Sequence, residues 1–207
     1  MTLRDLTQND IPEVKKLIYA TWEWPKQIKT ESTLDAALGL YAGQVLNQST
    51  TAKAAVVDGK VMGVIFCAVE GQLPVCRMLQ DDGSENILAL LHASESERAD
   101  IAGAIATLGG TYAALLEGRE YDATVTFLAV NPEAQGLKLG KKLWDFAMDY
   151  FKAHNAKNMY LFTDTSCNYG FYEHLGLSRR NELPMEFHLG GQEVKLTSFL
   201  YDFTIKT

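Results

Sequence analysis

Hydrophobic residues recur at helical spacing after a glycine-bearing turn in the second half of the chain. From Leu139 onward, apolar positions repeat about every 3.6 residues, and charged residues take the opposite face. The segment before the turn, 123–130, is rich in the β-branched and aromatic residues that favour strands. Residues 123–143 are therefore predicted to form a strand, a turn over 135–140 and a helix.

Similar patterns predict the elements on either side of this unit. Apolar stripes indicate helices at 11–22 and 32–46, and apolar runs indicate strands at 2–7, 52–57, 61–69 and 158–163. Hairpins are predicted at Asp58 and Gly59, and at Gly190 and Gly191 between strands 185–189 and 194–205.

The long segment between the third and fourth predicted strands has a different character. Strand patterns stop over 72–121, and helical spacing appears over 97–116 with an interruption at Gly109 and Gly110. This segment is predicted to be a helical insertion. The order of elements then indicates an α+β (mixed αβα) fold, with a central mixed sheet, helices on both faces and one domain over 1–207.

Composition limits the classes of protein to which the chain could belong. With 207 residues, 47% of them hydrophobic, the chain can bury the core of one domain. No apolar run approaches the ~18 residues of a membrane span, and the first ten residues are too polar for a signal peptide. We therefore expect a cytoplasmic protein that does not bind membranes.

The net charge and the spacing of the cysteine and histidine residues limit the ligands that the protein could bind. A net charge of −7 argues against nucleic-acid binding and is compatible with a cationic substrate such as an amine. The three cysteines form no CxxC pair, and the four histidines lack the spacing of metal ligands. We predict no metal site.

The turn over 135–140 has the features of a phosphate-binding site. A helix N-terminus presents unpaired N–H groups and a partial positive charge, and glycine lets a ligand approach the backbone. Two known phosphate loops do not fit. Three residues separate Gly136 from Gly140, whereas a Walker loop has four between its glycines, and a dinucleotide fingerprint needs a third glycine.

The turn resembles the coenzyme A loop of the GNAT-type N-acetyltransferases, Gln/Arg-x-x-Gly-x-Gly/Ala at a helix start. Gln135 and Gly140 match the ends of that pattern, and Lys138 stands where the family has its middle glycine. The segment 168–177, NYGFYEHLGL, resembles a second signature of the family, a short helix that ends in Phe-Tyr-Glu-x-x-Gly-Phe. The predicted order of elements also resembles that family, whose two middle strands splay apart.

The resemblance implies that acetyl-CoA is the cosubstrate and places it in the chain. The pantetheine arm would lie between 127–130 and 161–163, with a backbone N–H near Leu128 polarising the thioester carbonyl, and the pyrophosphate would bind N–H groups of 135–141. Asn168 would bond a pantetheine amide or, alternatively, serve as N-cap of the short helix. The implied coenzyme-binding residues are Leu128, Ala129, Val130, Gln135, Gly136, Leu137, Lys138, Leu139, Gly140, Lys141 and Asn168.

The same resemblance makes Tyr172 the candidate catalytic acid. A phenol with an unperturbed pKa near 10 stays protonated at neutral pH and can donate to a departing thiolate. The alternative is that Tyr172 is only a core aromatic residue. No general base is assigned, because Thr124 and Thr126 occupy the central-strand positions where many family members have a carboxylate. The nearest carboxylates by sequence are Glu70, Asp122 and Asp164.

The sequence allows more than one role for the residues near the acceptor and more than one overall activity. Trp22, Glu23 and Trp24 lie in the loop that borders the acceptor in this family, although two tryptophans after a helix also commonly cap a core. The expected activity is direct acetyl transfer to a primary amine of a small molecule or peptide. Alternatives are a silent acyl-CoA-binding module and a ping-pong enzyme that uses Cys167. The insertion could cover the site, form a homodimer surface or pack on the sheet as a hairpin.

Overall fold

A mixed β-sheet forms the centre of the protein in a computed structural model that describes residues 1–22, 24–79, 83–134 and 136–206. Within these residues the sheet has seven strands in the order β1-β2-β3-β4-β5-β7-β6. The strands are β1 (Thr2–Asp5), β2 (Thr51–Val57), β3 (Lys60–Val69), β4 (Ala123–Val130), β5 (Asn158–Asp164), β6 (Ser178–Leu189) and β7 (Gln192–Thr204). The helices are α1 (Ile11–Thr21), α2 (Glu31–Gln48), α3 (Ser84–His92), α4 (Glu95–Leu116), α5 (Leu139–Ala153) and α6 (Gly170–His174).

Neighbouring strands are antiparallel except for β4 and β5, which are parallel. The β2–β3 hairpin turns at Asp58 and Gly59, and the β6–β7 hairpin turns at Gly190 and Gly191; all four residues have positive φ. Two such residues in succession are typical of the two-residue turns whose twist matches that of paired strands. Both predicted hairpins are present.

Three hydrophobic clusters hold helices against the sheet. The first packs Leu143 and Phe151 of α5 on one face, and the second packs Ile18 of α1 and Leu46 of α2 on the other. The third joins α2, α4 and β6 on the α2 face. Its buried members are Ile28, Ala37, Ile101, Ala104, Met185, Phe187 and Leu189. The mixed sheet with helices on both faces agrees with the predicted fold class.

Helix α4 corrects one detail of the predicted insertion. It runs without a break from Glu95 to Leu116, whereas Gly109 and Gly110 were expected to interrupt it. Both glycines face solvent, so each costs about 1 kcal/mol relative to alanine but leaves the helix intact. The helix ends at Glu117, which adopts a left-handed conformation.

The expectation that no segment reaches the length of a membrane span also needs correction. Helix α4 is long and apolar enough to cross a membrane by length and composition, and 17% of its most apolar window is buried. A single helix of this kind is weak grounds for a membrane span. In the structure its buried residues Ile101, Ala104 and Leu115 pack within the protein.

Strand β6 is longer than its hydrophobic pattern predicted. It begins at Ser178, seven residues before the expected start at Met185, and its first half is largely exposed. Because β6 lies at the edge of the sheet, polar side chains and Pro184 are tolerated there. The strand is defined by its pairing with β7, which sequence periodicity alone does not report.

Candidate active site

The two parallel strands separate after two residue pairs. Ala123 pairs with Met159 and Thr124 pairs with Tyr160; in the described part of the chain, β4 and β5 form no later pair. Beyond Thr124, the edge of β4 that faces β5 therefore lacks a partner strand and can pair with an extended ligand. A cavity of about 970 Å³ opens between the strands.

A bulge explains where β4 leaves β5. The register with β3 shifts between Phe66, which pairs with Phe127, and Cys67, which pairs with Val125. Thr126 is the extra residue, and a bulge of this kind bends a strand and increases its twist. The three predicted residues that follow on β4, Leu128, Ala129 and Val130, line the cavity.

One end of the cavity is formed by the glycine turn and the start of α5; we call residues 136–141 the turn end. Gly136 has φ 88°, and Lys138, the N-cap of α5, has φ 55° and ψ 28°. The Lys142 amide donates to the Lys138 carbonyl at 3.2 Å, so the three amides before it lie in the first turn, without intrahelical acceptors. Gly136, Lys138, Leu139, Gly140 and Lys141 line this end.

Three further features of the turn bear on its predicted role. A Cβ atom built on Gly140 would lie 3.4 Å from the ring of Phe171, so the backbone packs closely against α6. The Lys141 ammonium pairs with Asp145. Leu137 is 47% exposed and is not among the cavity residues that the structure describes, and Gln135 lies outside the described residues.

Tyr172 lies on α6 and lines the cavity between its two ends. Its ring packs near Trp144, Phe171 and Tyr201. Burial, with a smaller effect of nearby Cys167, raises the pKa of the Tyr172 phenol above its ordinary value. Its hydroxyl has no hydrogen-bond partner among the residues described here, so the proton is available to a ligand.

Asn168 also lines the cavity, and it precedes α6 without capping it. The N-cap is Tyr169, and the backbone carbonyl of Asn168, not its side chain, accepts from the Phe171 amide at 3.1 Å. The capping alternative for this side chain is therefore wrong. Its exposed amide remains free to face a ligand in the cavity.

Aromatic side chains from four elements form the other end of the cavity. We call Trp22, Tyr41, Tyr112, Phe162 and Asp164 the aromatic end; all five line the cavity. Trp22, which caps the C-terminus of α1, stacks on Phe127 with ring centroids 5.6 Å apart. Tyr112 of α4 stacks on Phe162 of β5 at 4.2 Å. The insertion thus contributes a wall of the cavity.

The residues that were predicted to bind the acceptor do not all line the cavity in the structure. Trp22 lies in the cavity, where its indole Nε1 donates to Asp164 at 3.1 Å. Trp24 packs at the border of the second and third hydrophobic clusters, 6.2 Å from the Tyr41 ring, and is not among the described cavity residues. Glu23 lies outside the described residues.

The three candidate carboxylates lie in different places. The exposed Glu70 follows β3, and its amide donates to the carbonyl of Asp122 just before β4. The Asp122 carboxylate accepts from the amides of Lys157 and Asn158 at the start of β5. Both residues therefore lie where the strands are still paired. Of the three, only Asp164, at the end of β5, lines the cavity.

The two threonines on β4 have other partners. Thr126 shares a 2.7 Å hydrogen bond with Ser49, and Thr124 hydrogen-bonds the Tyr160 phenol, which partly offsets the rise in the pKa of Tyr160 on burial. Neither hydroxyl can take a proton as a carboxylate would.

Cys167 lies in the cavity wall as a protonated thiol. Burial, with a further effect of the Asp164 carboxylate, raises its pKa to about 11. A thiol attacks as its thiolate, so this environment opposes a nucleophilic role at neutral pH. Among the residues that the structure describes, no group of three or more His, Cys, Asp or Glu side chains could hold a metal ion.

Tyr41 and Tyr112 are two cavity residues that sequence patterns did not mark as functional, and Phe162 was included only within the segment 161–163. Each sits at an apolar position of its own element, where a core role is the simplest interpretation. A signal existed only on β5, where Tyr160, Phe162 and Asp164 alternate along one face. Nothing local in the insertion marked Tyr112.

A comparison with protein families gives one match. The model described as the acetyltransferase (GNAT) family matches residues 12–177. This span includes the turn end, Tyr172 and all five residues of the aromatic end. The comparison with curated protein sequences finds no match.

Solved structures of several acetyltransferases share the fold. The ribosomal-protein-S18-alanine N-acetyltransferase of Escherichia coli matches with a TM-score of 0.51 and 15% identity, over 100% of this chain and 94% of that one. An aminoglycoside 6′-acetyltransferase type Ii matches with 0.56 and 15%, over 100% and 99%. An agmatine N-acetyltransferase matches with 0.55 and 14%, over 98% and 99%. At these identities the likeness concerns the fold.

Proposed function

This chain belongs to the GNAT family of acetyltransferases, and we propose that it moves an acetyl group from acetyl-CoA directly to a primary amine. The observation that carries the proposal is the separation of β4 from β5, which joins the turn end, Tyr172 and the aromatic end in one cavity. The names of structural neighbours, which include alanine, aminoglycoside and agmatine acetyltransferases, support an amine acceptor.

The turn end is suited to the pyrophosphate of the coenzyme. The amides of the first turn of α5 lack intrahelical acceptors, and the helix dipole adds positive potential where they point. Lys138 and Lys141 line the same edge, where Asp145 pairs with the Lys141 ammonium. A Cβ atom on Gly140 would make an ordinary contact with Phe171 at 3.4 Å, so a larger side chain there would push against that ring.

The unpaired edge of β4 is suited to the pantetheine arm and the thioester. Its amide and carbonyl groups can pair with the arm as an added strand would, and Asn168 can bond one of its amides. A backbone N–H near Leu128 would polarise the thioester carbonyl and stabilise the oxyanion that develops when the amine attacks. A fixed donor of this kind contributes most where water is excluded.

Tyr172 is the proposed general acid. The neutral amine nitrogen forms a bond to the acetyl carbon, the C–S bond breaks, and the phenol donates its proton toward the departing sulfur. The nitrogen loses one proton to water, and the phenolate takes one from water. The raised pKa keeps this proton in place at neutral pH. Because the phenol is a weaker acid than the thiol, its contribution begins as a strong hydrogen bond to the developing thiolate.

Two other activities are weaker candidates. A ping-pong enzyme would need a Cys167 thiolate, which the raised pKa of about 11 disfavours. A silent acyl-CoA-binding module would need no acid at the thiol, yet Tyr172 lies in the cavity with a free hydroxyl. We also propose that the protein works in the cytoplasm, with helix α4 packed against the rest of the fold rather than in a membrane.

Thiol release from acetyl-CoA in the presence of a panel of amines tests the proposal. The expected result is release that depends on an added amine and gives one acetylated amine per thiol. Tight binding of acetyl-CoA with no release for any amine would support the silent module instead. Release without an amine product would indicate thioester hydrolysis rather than transfer.

A further inference from the structure

A carboxylate is buried at the aromatic end without a basic partner. Asp164 is 5% exposed and accepts from Trp22 Nε1 at 3.1 Å and from the Ser166 amide and hydroxyl at 2.8 and 2.5 Å. All three donors are neutral, and no ion pair to Asp164 occurs among the residues that the structure describes. A charge that is removed from water without a counter-charge is costly.

The groups around this carboxylate suit a cation. Trp22 and Tyr41 pack edge to face at 5.3 Å, and Tyr112 is stacked on Phe162 across the cavity wall. Burial raises the pKa of the Tyr41 and Tyr112 phenols, and the nearby Asp164 carboxylate adds to this rise. Both rings therefore stay neutral. Neutral aromatic faces attract ammonium ions, most strongly where water is excluded.

Asp164 lies in the same opening of the sheet as the strand edge proposed to bind the thioester. Leu128 and Asp164 both lie beyond the last paired residues, Thr124 and Tyr160, and both line the cavity. Phe162 and Asp164 point toward the side of α4 and α1, whereas Leu161 belongs to the core shared with α5. The carboxylate therefore lies on the face opposite the turn end.

We propose that Asp164 binds the ammonium group of a small primary amine that carries no carboxylate; where this nitrogen is the acceptor, it loses one proton to water before it attacks the thioester. Trp22, Tyr41 and Tyr112 surround that group as neutral aromatic walls. The proposal rests on the proposed acetyl transfer and names the class of acceptor for the same cavity. A carboxylate on the acceptor would face Asp164 without a compensating cation and would be excluded.

The burial of the carboxylate favours a small acceptor. Asp164 is 5% exposed, and Trp22, Tyr41 and Tyr112 line the cavity with it. A small amine can reach so little exposed a carboxylate more easily than a side chain of a folded protein can.

Asp164→Asn separates this role from a structural one. Asparagine keeps one oxygen that can accept from the Ser166 amide and hydroxyl, while its NH2 group replaces the oxygen that accepts from Trp22 and the negative charge is lost. Glu70→Gln is the matched control, since it removes one carboxylate from an exposed position at the closed end of the strands. Both variants are made in the full chain, and their melting temperatures are compared with that of the native protein.

The probes are n-butylamine, 1,4-diaminobutane and 2-phenylethylamine, with 4-aminobutanoate as the carboxylated counterpart. Amine binding is measured by calorimetry, and transfer by thiol release. We expect the native protein and Glu70→Gln to bind and acetylate at least one of the three amines and to reject 4-aminobutanoate. Asp164→Asn should raise KM and Kd for that amine about 10- to 100-fold, with acetyl-CoA affinity unchanged.

Each outcome decides between the two proposals. Amine binding that depends on Asp164 without transfer would sustain the ammonium site and overturn the acetyltransferase function. Transfer with equal KM in Asp164→Asn and Glu70→Gln, or a preference for 4-aminobutanoate, would overturn the ammonium site alone. Neither binding nor transfer by the native protein would overturn both.

A second variant keeps the test valid if Asp164→Asn does not fold. Tyr112→Leu removes one aromatic wall and leaves the carboxylate in place. We expect a rise of about 3- to 10-fold in KM for the same amine, with unchanged acetyl-CoA affinity, the range of a partly desolvated cation–π contact. An unchanged KM in this variant would contradict the aromatic part of the site.

Discussion

The two ends of the cavity are built in different ways. The turn end comes from one continuous stretch, 136–141, where a strand, a turn and a helix follow one another. The aromatic end brings together Trp22 at the C-terminal cap of α1, Tyr41 of α2, Tyr112 of α4 and Asp164 of β5. Trp22 and Asp164 are 142 positions apart, yet they share a hydrogen bond. A local site can be recognised from spacing, whereas a convergent site depends on the fold.

The difference has a functional counterpart. Every enzyme that uses the same coenzyme must bind the same pyrophosphate, which a backbone can do with few specified side chains. Each enzyme has its own acceptor, and specific side chains are required to recognise it. In this chain the helical insertion supplies one such side chain, that of Tyr112. We therefore expect changes at the two ends to affect different kinetic constants.

The largest effect is expected at the point where the two ends meet. Tyr172→Phe keeps the ring and its packing but removes the donor to the leaving sulfur. We expect kcat to fall by about 10²-fold or more, with melting temperature and acetyl-CoA affinity nearly unchanged. A lowered melting temperature with kcat intact would instead make Tyr172 a core residue.

At the turn end, Gly140→Val should weaken coenzyme binding. The added methyl groups would push on Phe171 and on the ligand-facing backbone, and we expect acetyl-CoA Kd to rise about tenfold or more in a folded protein. Calorimetry measures this change. Gly140→Ala is the control, because its Cβ would make an ordinary contact at 3.4 Å. Unchanged affinity in the valine variant would show that the turn does not bind the coenzyme.

A smaller effect is expected at Lys138, which holds a left-handed conformation that glycine adopts more easily. Lys138→Gly should raise the free energy of unfolding by roughly 0.5–1 kcal/mol and leave acetyl-CoA affinity close to native. Asn155→Gly, at φ 60° beyond α5, is the control for the backbone effect. Complete loss of coenzyme binding in the Lys138 variant alone would make its ammonium a direct phosphate ligand.

The smallest effect is expected at Cys167. Because burial and Asp164 raise its pKa to about 11, the thiol is protonated at pH 7–9 and becomes a thiolate only as the pH rises toward that value. Cys167→Ala should keep kcat within about twofold of native, as expected for a residue outside the chemical step. Alkylation of Cys167 should be slow at pH 8. Abolished transfer would restore the ping-pong alternative.

Sequence patterns predicted the elements that are defined by their own residues. Helix α5 has a clear apolar stripe, and the two hairpins have pairs of turn residues. Patterns failed where a partner decides the structure. The first half of β6 is a strand because β7 pairs with it, and α4 continues through Gly109 and Gly110 because solvent-facing glycines weaken a helix without ending it.

The same distinction applies to the candidate site. Gly140 and Tyr172 were found through short local motifs. Asp164 was one of three carboxylates with equal claims by sequence, and only the separation of β4 from β5 distinguishes it from Asp122. Tyr41 and Tyr112 resemble core residues in their own helices. Their role depends on α2 and α4 converging on one end of the cavity.

Direct transfer within one cavity is the central claim, and intact mass spectrometry during turnover tests it most directly. The native protein is mixed with acetyl-CoA and an amine that it acetylates, and the protein mass is followed while thiol release proceeds. We predict steady formation of acetylated amine with no mass gain on the protein at any time. A transient gain of one acetyl group on Cys167, formed and lost at the rate of turnover, would contradict the account.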